Sequence, residues 1–156
     1  MIQMNRSFLD LYAHNFIRVA VAVPRQKLAS PVENSAEIGR MYLKASVQGA
    51  ALVLFPELCV SGYSLDDLHQ QDALLQAVLE GLKQLIDVTT SGNALLIVGA
   101  PVRLENRIYN SAVIIASGRV LGIVPKSYIP NYREFYEKRQ FAAARDAISD
   151  TILCLG

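Results

Sequence analysis

A chain of 156 residues is enough for one domain with a sizeable buried core, and its 52% apolar content is high for that length. A formal net charge of +1, with acidic and basic residues interspersed and no basic run, argues against nucleic acid or an anionic membrane as partner and favours a small neutral ligand. Arg6, Asp10 and His14 interrupt the apolar positions at the start of the chain, which argues against a signal peptide or membrane helix and favours the cytoplasm. Cys59 and Cys154 make neither a metal spacing nor a disulfide framework.

In chain order, Phe16 to Val23 is a β-branched apolar run ending at Pro24, and it reads as a buried strand. Ser30, Pro31 and Glu33 supply an N-cap, a first-turn proline and the acidic partner of a capping box, and Gly49 closes that helix near Gln48. Ala51 to Phe55 is a short apolar strand. Ser64 and Asp67 are candidate caps for a second helix, in which Leu68, Leu75, Val78, Leu82 and Leu85 recur at helical spacing. After Ser91, Gly92 and Asn93 break it, Ala94 to Ala100 gives a third core strand. Ile108 to Ala116 and Val120 to Val124 then form a hairpin across Ser117, Gly118 and Arg119. Gly99 and Gly118 read as turn glycines, and no phosphate-cradling glycine pattern is present. The fold class is α/β with a mixed sheet and flanking helices. Pro125 to Phe141 is a polar and aromatic loop, and Thr151 to Leu155 looks like the start of another strand.

Two charged residues stand where apolar strands run out. Glu57 follows Leu52 to Pro56, Lys126 follows Val120 to Pro125, and each is preceded by a proline. A carboxylate and an ammonium placed just past strand ends suit a site at the edge of an α/β sheet, where ligands bind. Taken singly, Glu57 reads more often as a solvated loop carboxylate or helix-cap partner and Lys126 as a surface lysine; their joint occurrence reverses that.

FPELCVSGYS from Phe55 to Ser64 and PKSYIPNYREFYEKRQF from Pro125 to Phe141 together resemble the nitrilase (carbon-nitrogen hydrolase) superfamily. Within it, the match is to the N-terminal glutaminase domain of bacterial glutamine-dependent NAD synthetases. FLDLYAHNFIRVAVAV, the VGAPVR turn and the IYNSAVII strand extend the resemblance over nearly the whole chain. The resemblance implies a nitrilase-like αββα sandwich, of which residues 1–156 form an N-terminal portion. It also implies a Glu-Lys-Cys triad, in which a thiolate attacks the carboxamide of glutamine, ammonia leaves and water releases the acid. Glu57 then matches the general base and Lys126 the cation that steadies the oxyanion. Glu137 matches a second glutamate that orients the site, and Tyr63, Tyr132 and Phe135 fall where the glutamine pocket is shaped. No metal or cofactor is implied in this chain. ATP and magnesium are expected only in a partner synthetase domain that amidates deamido-NAD, and a homo-oligomer is expected.

The nucleophile is where the sequence departs from the pattern. The resemblance places it farther beyond Lys126 than Gly156, while Cys154 in TILCLG reads as a buried strand thiol and Cys59 as packing. The expectation is a glutaminase portion inactive by itself. Two alternatives stay open: another nitrilase-like amidase acting on a carbamoyl or ω-amide group, and a non-catalytic relic that scaffolds a partner. Glu137, beside Arg133, Lys138 and Arg139, also reads as part of a salt-bridged loop, and Tyr63, Tyr132 and Phe135 read as packing aromatics.

Overall fold

The computed structural model describes residues 10–149. Pro31 opens the first helix, α1 (Pro31–Val47), where a missing N–H leaves no intrahelical bond unmade. Ser30 is the N-cap as expected, but its side chain makes no capping bond, because its backbone (φ −120°, ψ 64°) lies outside the extended region that aims a hydroxyl at the helix. Glu33 pairs outward with Lys27, so the expected capping box does not form. Asn34 ties this end down, its amide donating to the carbonyls of Lys27 (2.8 Å) and Val60 (3.0 Å). The second helix, α2 (Asp72–Val88), begins later than the leucine spacing suggests. Residues Asp66–Gln70 form a separate 3₁₀ turn that leaves Leu68 exposed, and Asp67 pairs with Arg139 instead of capping.

The five strands are β1 (Val19–Val21), β2 (Leu52–Leu54), β3 (Leu95–Leu104), β4 (Arg107–Ala116) and β5 (Arg119–Pro125). They lie side by side in sequence order. β1, β2 and β3 pair in parallel through the α1 and α2 crossovers, and β3, β4 and β5 pair antiparallel through two hairpins. The sheet is therefore mixed, as the sequence indicates. Both helices pack on one face, with Ile38, Tyr42, Val78, Leu82 and Leu85 buried against Val53, Leu96, Val98, Val113 and Ile115. The Tyr42 hydroxyl donates to the Ala94 carbonyl at 2.9 Å, which locks α1 to the start of β3.

β1 corrects the first expectation. Only Val19–Val21 is strand, and it is an edge strand with Val21 74% exposed. Ala20 and Ala22 face the helices, whereas the alternate valines face the other side of the sheet and are exposed there. Leu54 and Val124 are exposed on that same side. No helix among the described residues is long and apolar enough to cross a membrane.

β3 corrects a second. The VGAPVR stretch is continuous strand, with Gly99 opposite Ala112 and Pro101 opposite Asn110, so Gly99 is not a turn glycine. The turn comes at Glu105 and Asn106, both with positive φ (51° and 62°), in the two-residue hairpin geometry usually filled by glycine or asparagine. Gly99 serves a close approach. A Cβ there would lie 2.3 Å from the Leu58 nitrogen and 2.7 Å from the Pro56 oxygen. Cys154 and the strand expected at Thr151 to Leu155 lie outside the described residues.

Gly99→Ala should therefore lower stability by about 2–3 kcal/mol through overpacking against backbone that cannot yield as a side chain does. Urea denaturation measures this; a midpoint equal to that of the unsubstituted chain would contradict the close approach.

Candidate active site

The turn that carries Glu57 is shaped by its neighbours. Phe55 makes the last ladder bond, its N–H donating to the Ile97 carbonyl at 2.9 Å, and Pro56 has no N–H with which to continue. Leu58 takes a positive φ of 50°, and the Val60 N–H returns to the Gly99 carbonyl at 3.1 Å. Phe55, Leu58, Cys59 and Val60 are all buried, so four apolar anchors fix a turn whose outward side chain is Glu57. Cys59 is one of those anchors. Burial pushes its thiol up to about 12, against a weak bond to the Gly99 carbonyl, which makes it a packing residue.

Lys126 is placed by a different route. Its N–H donates to the Asn110 carbonyl of β4 at 2.8 Å, and its own carbonyl accepts from Ala144 at 2.9 Å, so its backbone is held on both sides. Glu137 opens a 3₁₀ turn (Glu137–Arg139) fixed from outside: Arg139 grips Asp67 with two bonds of 2.6 and 2.7 Å, and Gln70 donates to the Arg139 carbonyl at 3.1 Å. Phe141 stacks obliquely on buried His69, with ring centroids 5.0 Å apart. Glu137 does not pair with Arg133, Lys138 or Arg139, its neighbours in sequence; its partners are Lys126 and Tyr63.

These pieces converge. The Lys126 ammonium lies 2.6 Å from Glu57 Oε1 and 3.0 Å from Glu137 Oε2, with a longer contact of 3.3 Å to Glu137 Oε1. The Tyr63 hydroxyl donates to Glu137 Oε1 at 2.6 Å. Burial is graded across the cluster, from a Glu137 side chain 8% exposed, through Lys126 at 28%, to Glu57 at 44%. Burial alone would lower the pKa of Lys126; its bonds to Glu57 and Glu137 more than offset that, and the ammonium is held above the usual lysine value. Burial of its hydroxyl, then the Glu137 carboxylate, push Tyr63 well above the usual phenol value.

Of the residues expected at the site, Glu57, Lys126, Glu137 and Tyr63 share one cluster. Phe135 lines a cavity of about 340 Å³ that Tyr63, Ser64, His69 and Glu137 also line. Tyr132 is not at that cavity; it is 64% exposed and stacks on Phe135 with centroids 5.9 Å apart. A larger, basic cavity of about 1050 Å³ near Arg103, Arg107 and Arg145 touches no member of the cluster. Among the described residues, no group of three or more His, Cys, Asp or Glu is placed to hold a metal ion. Sequence reasoning missed Asn110, whose amide donates to Glu57 Oε1. The sequence carries no signal that separates Asn110 from its polar neighbour Ser111 in the same strand; its role shows only once the amide is seen to be buried with a partner.

Residues 18–153 match the family described as carbon-nitrogen hydrolase. The glutamine-dependent NAD(+) synthetase of Mycobacterium tuberculosis (strain ATCC 25618 / H37Rv) is 47% identical over 136 residues, covering 87% of this chain and 20% of that protein. That of Mycobacterium leprae is 42% identical over 139 residues, covering 89% and 20%. The chain thus spans about a fifth of the length of these relatives. Among solved structures, the glutamine-dependent NAD+ synthetase from Acinetobacter baumannii in complex with ADP aligns with a TM-score of 0.77 at 31% identity, over 82% of this chain and 24% of that one. A nitrilase-superfamily amidase from Nesterenkonia shares the fold, with a TM-score of 0.69 at 23% identity over 82% of this chain and 48% of that one.

The raised Tyr63 value has a signed consequence. A folded state that holds the phenol proton more tightly keeps its full contribution below the unfolded value of about 10 and loses it as pH rises through the folded value. Stability should therefore fall more steeply above about pH 10 in the unsubstituted chain than in Tyr63→Phe. Denaturation midpoints read across pH test this, and parallel curves would contradict it.

Proposed function

This chain belongs to the carbon-nitrogen hydrolase family, and on that footing we propose that it forms part of the glutaminase of a glutamine-dependent NAD synthetase, releasing ammonia for the amidation of deamido-NAD. The observation that carries the reading is a single lysine bridging two glutamates beyond the ends of β2 and β5. Its residues suit carboxamide hydrolysis. Glu57, the more exposed carboxylate, is the general base. An ammonium has three N–H donors; one goes to Glu57 and one is shared between the Glu137 oxygens, which leaves a third for the oxyanion of a tetrahedral intermediate.

In this reading a cysteine thiol from outside the described residues gives its proton to Glu57 as sulfur attacks the amide carbon. The C–N bond breaks, nitrogen takes that proton and leaves as ammonia, and a thioester remains. Water then attacks the thioester carbon, Glu57 takes a proton from it, the C–S bond breaks and sulfur takes that proton from Glu57, which restores both thiol and base. Glu137 holds Lys126 in place, and Tyr63 and Phe135 contribute to the glutamine pocket. ATP and magnesium belong to the synthetase region, and the partners are that region and further copies of the chain. The exposed apolar side of the sheet supports burial against another protein layer.

In the full-length gene product, Glu57→Gln and Lys126→Met should each lower glutamine-supported NAD synthesis by about 10²–10⁴-fold. Synthesis from free ammonium should stay within about threefold, because it does not use the hydrolytic step. Equal loss of both activities would make the two residues structural and defeat the assignment.

A further inference from the structure

We infer that Asn110 is the positioning residue for the base: its side-chain amide and main-chain carbonyl hold Glu57 and Lys126 in one register, leaving Glu57 Oε2 as the atom that takes the proton. This rests on the carboxamide hydrolysis proposed above. Asn110 lies in β4 opposite Pro101 and is 4% exposed. Its Nδ2 donates to Glu57 Oε1, and its carbonyl accepts the Lys126 N–H at 2.8 Å. One residue thus grips the turn beyond β2 and the residue after β5.

The atoms divide the work. Glu57 Oε1 receives two donors, Asn110 Nδ2 and, at 2.6 Å, Lys126 Nζ, so both of its in-plane lone-pair positions are used. Oε2 accepts no hydrogen bond from the described residues and belongs to a side chain 44% exposed. A proton from the attacking thiol, or later from water, therefore goes to Oε2. The charged and titratable groups around Glu57 are Lys126 after β5, Glu137 in its 3₁₀ turn and Tyr63 after β2. None of them replaces Asn110, because the Tyr63 hydroxyl donates its hydrogen bond to Glu137 and Lys126 serves both glutamates. A neutral amide orients a carboxylate without adding a second positive charge that would weaken it as a base.

The test uses the full-length gene product with Asn110→Ala and the isosteric Asn110→Asp, reading kcat and KM for glutamine separately. Ammonium-supported synthesis and the melting temperature report on folding. We expect kcat to fall about 10–100-fold with KM within about twofold, as when a hydrogen-bond partner behind a reacting group is lost. Asn110→Asp should lose at least as much, because its carboxylate offers no N–H and faces Glu57 as a like charge. A kcat within about twofold of the unsubstituted enzyme, a rise in KM alone, or parallel loss of ammonium-supported synthesis would make Asn110 structural and overturn the inference. Full glutamine activity in Glu57→Gln would overturn the base itself and this inference with it. An inactive Glu57→Gln beside an unaltered Asn110→Ala would overturn the inference alone.

Discussion

The turn after β2 lies directly on the backbone of β3 at Gly99, and the geometry of the cluster depends on that contact. Glu57 and Lys126 follow strands that are three positions apart in the sheet, a separation of roughly 14 Å at ordinary strand spacing. Side chains at the ends of two such strands do not meet by default. Here the chain crosses over β3, with the space a Cβ would fill at Gly99 taken by the Leu58 nitrogen and the Pro56 oxygen. On the other side, Lys126 leans back across β4, its N–H bonded to Asn110. The remaining distance is closed by the two side chains, and a hydrogen bond of 2.6 Å results.

A shared ammonium is a different object from an isolated ion pair. An exposed lysine and glutamate contribute about 0–1 kcal/mol to stability, because water competes and two long side chains lose rotamer freedom. In this cluster Glu137 is almost out of water, so its charge needs partners on both oxygens, and it has them: Tyr63 on Oε1 and Lys126 on both. Two carboxylates compete for one lysine, and the buried one is fully provided for. Glu57 is the group left with an open oxygen. On that asymmetry rests the proposed division of roles, with Glu137 holding the lysine and Glu57 exchanging a proton.

Much of the fold is legible in the sequence because period and punctuation act locally. Pro31 and Gly49 bracket α1, the leucine spacing marks α2, and Ser117 with Gly118 marks the second hairpin. Features that depend on distant neighbours are not legible in this way. Val19 and Val21 read as core by their chemistry, yet whether a strand is buried on both faces depends on the layers that pack on it, and these valines face the side without helices. Gly99 reads as a turn glycine, although its reason for being glycine is a backbone more than 40 residues away by contact and invisible to any local window. Asp67 looks like a cap until Arg139 is known to lie beside it.

The site separates along the same line. Glu57 and Lys126 stand out because charge immediately after an apolar strand is visible in one dimension, and Glu137 because it lies in a stretch that resembles a known family. Asn110 is hidden for the opposite reason, since an amide in a strand carries no charge and breaks no period. Its importance lies in direction, because an Asn side chain in a strand points to one face or the other according to parity. Gly99, Pro101, Asn110 and Ala112 alternate onto the face that carries the Glu57 turn, as the β3–β4 register requires. A one-residue slip in that hairpin would turn the amide toward the helices and leave it unpaired in the apolar core, at a cost of about 1–3 kcal/mol for the lost bond. The register that buries Val98 and Val113 beneath the helices is therefore the one that aims Asn110 at Glu57, and core packing and site geometry are fixed by a single choice of pairing.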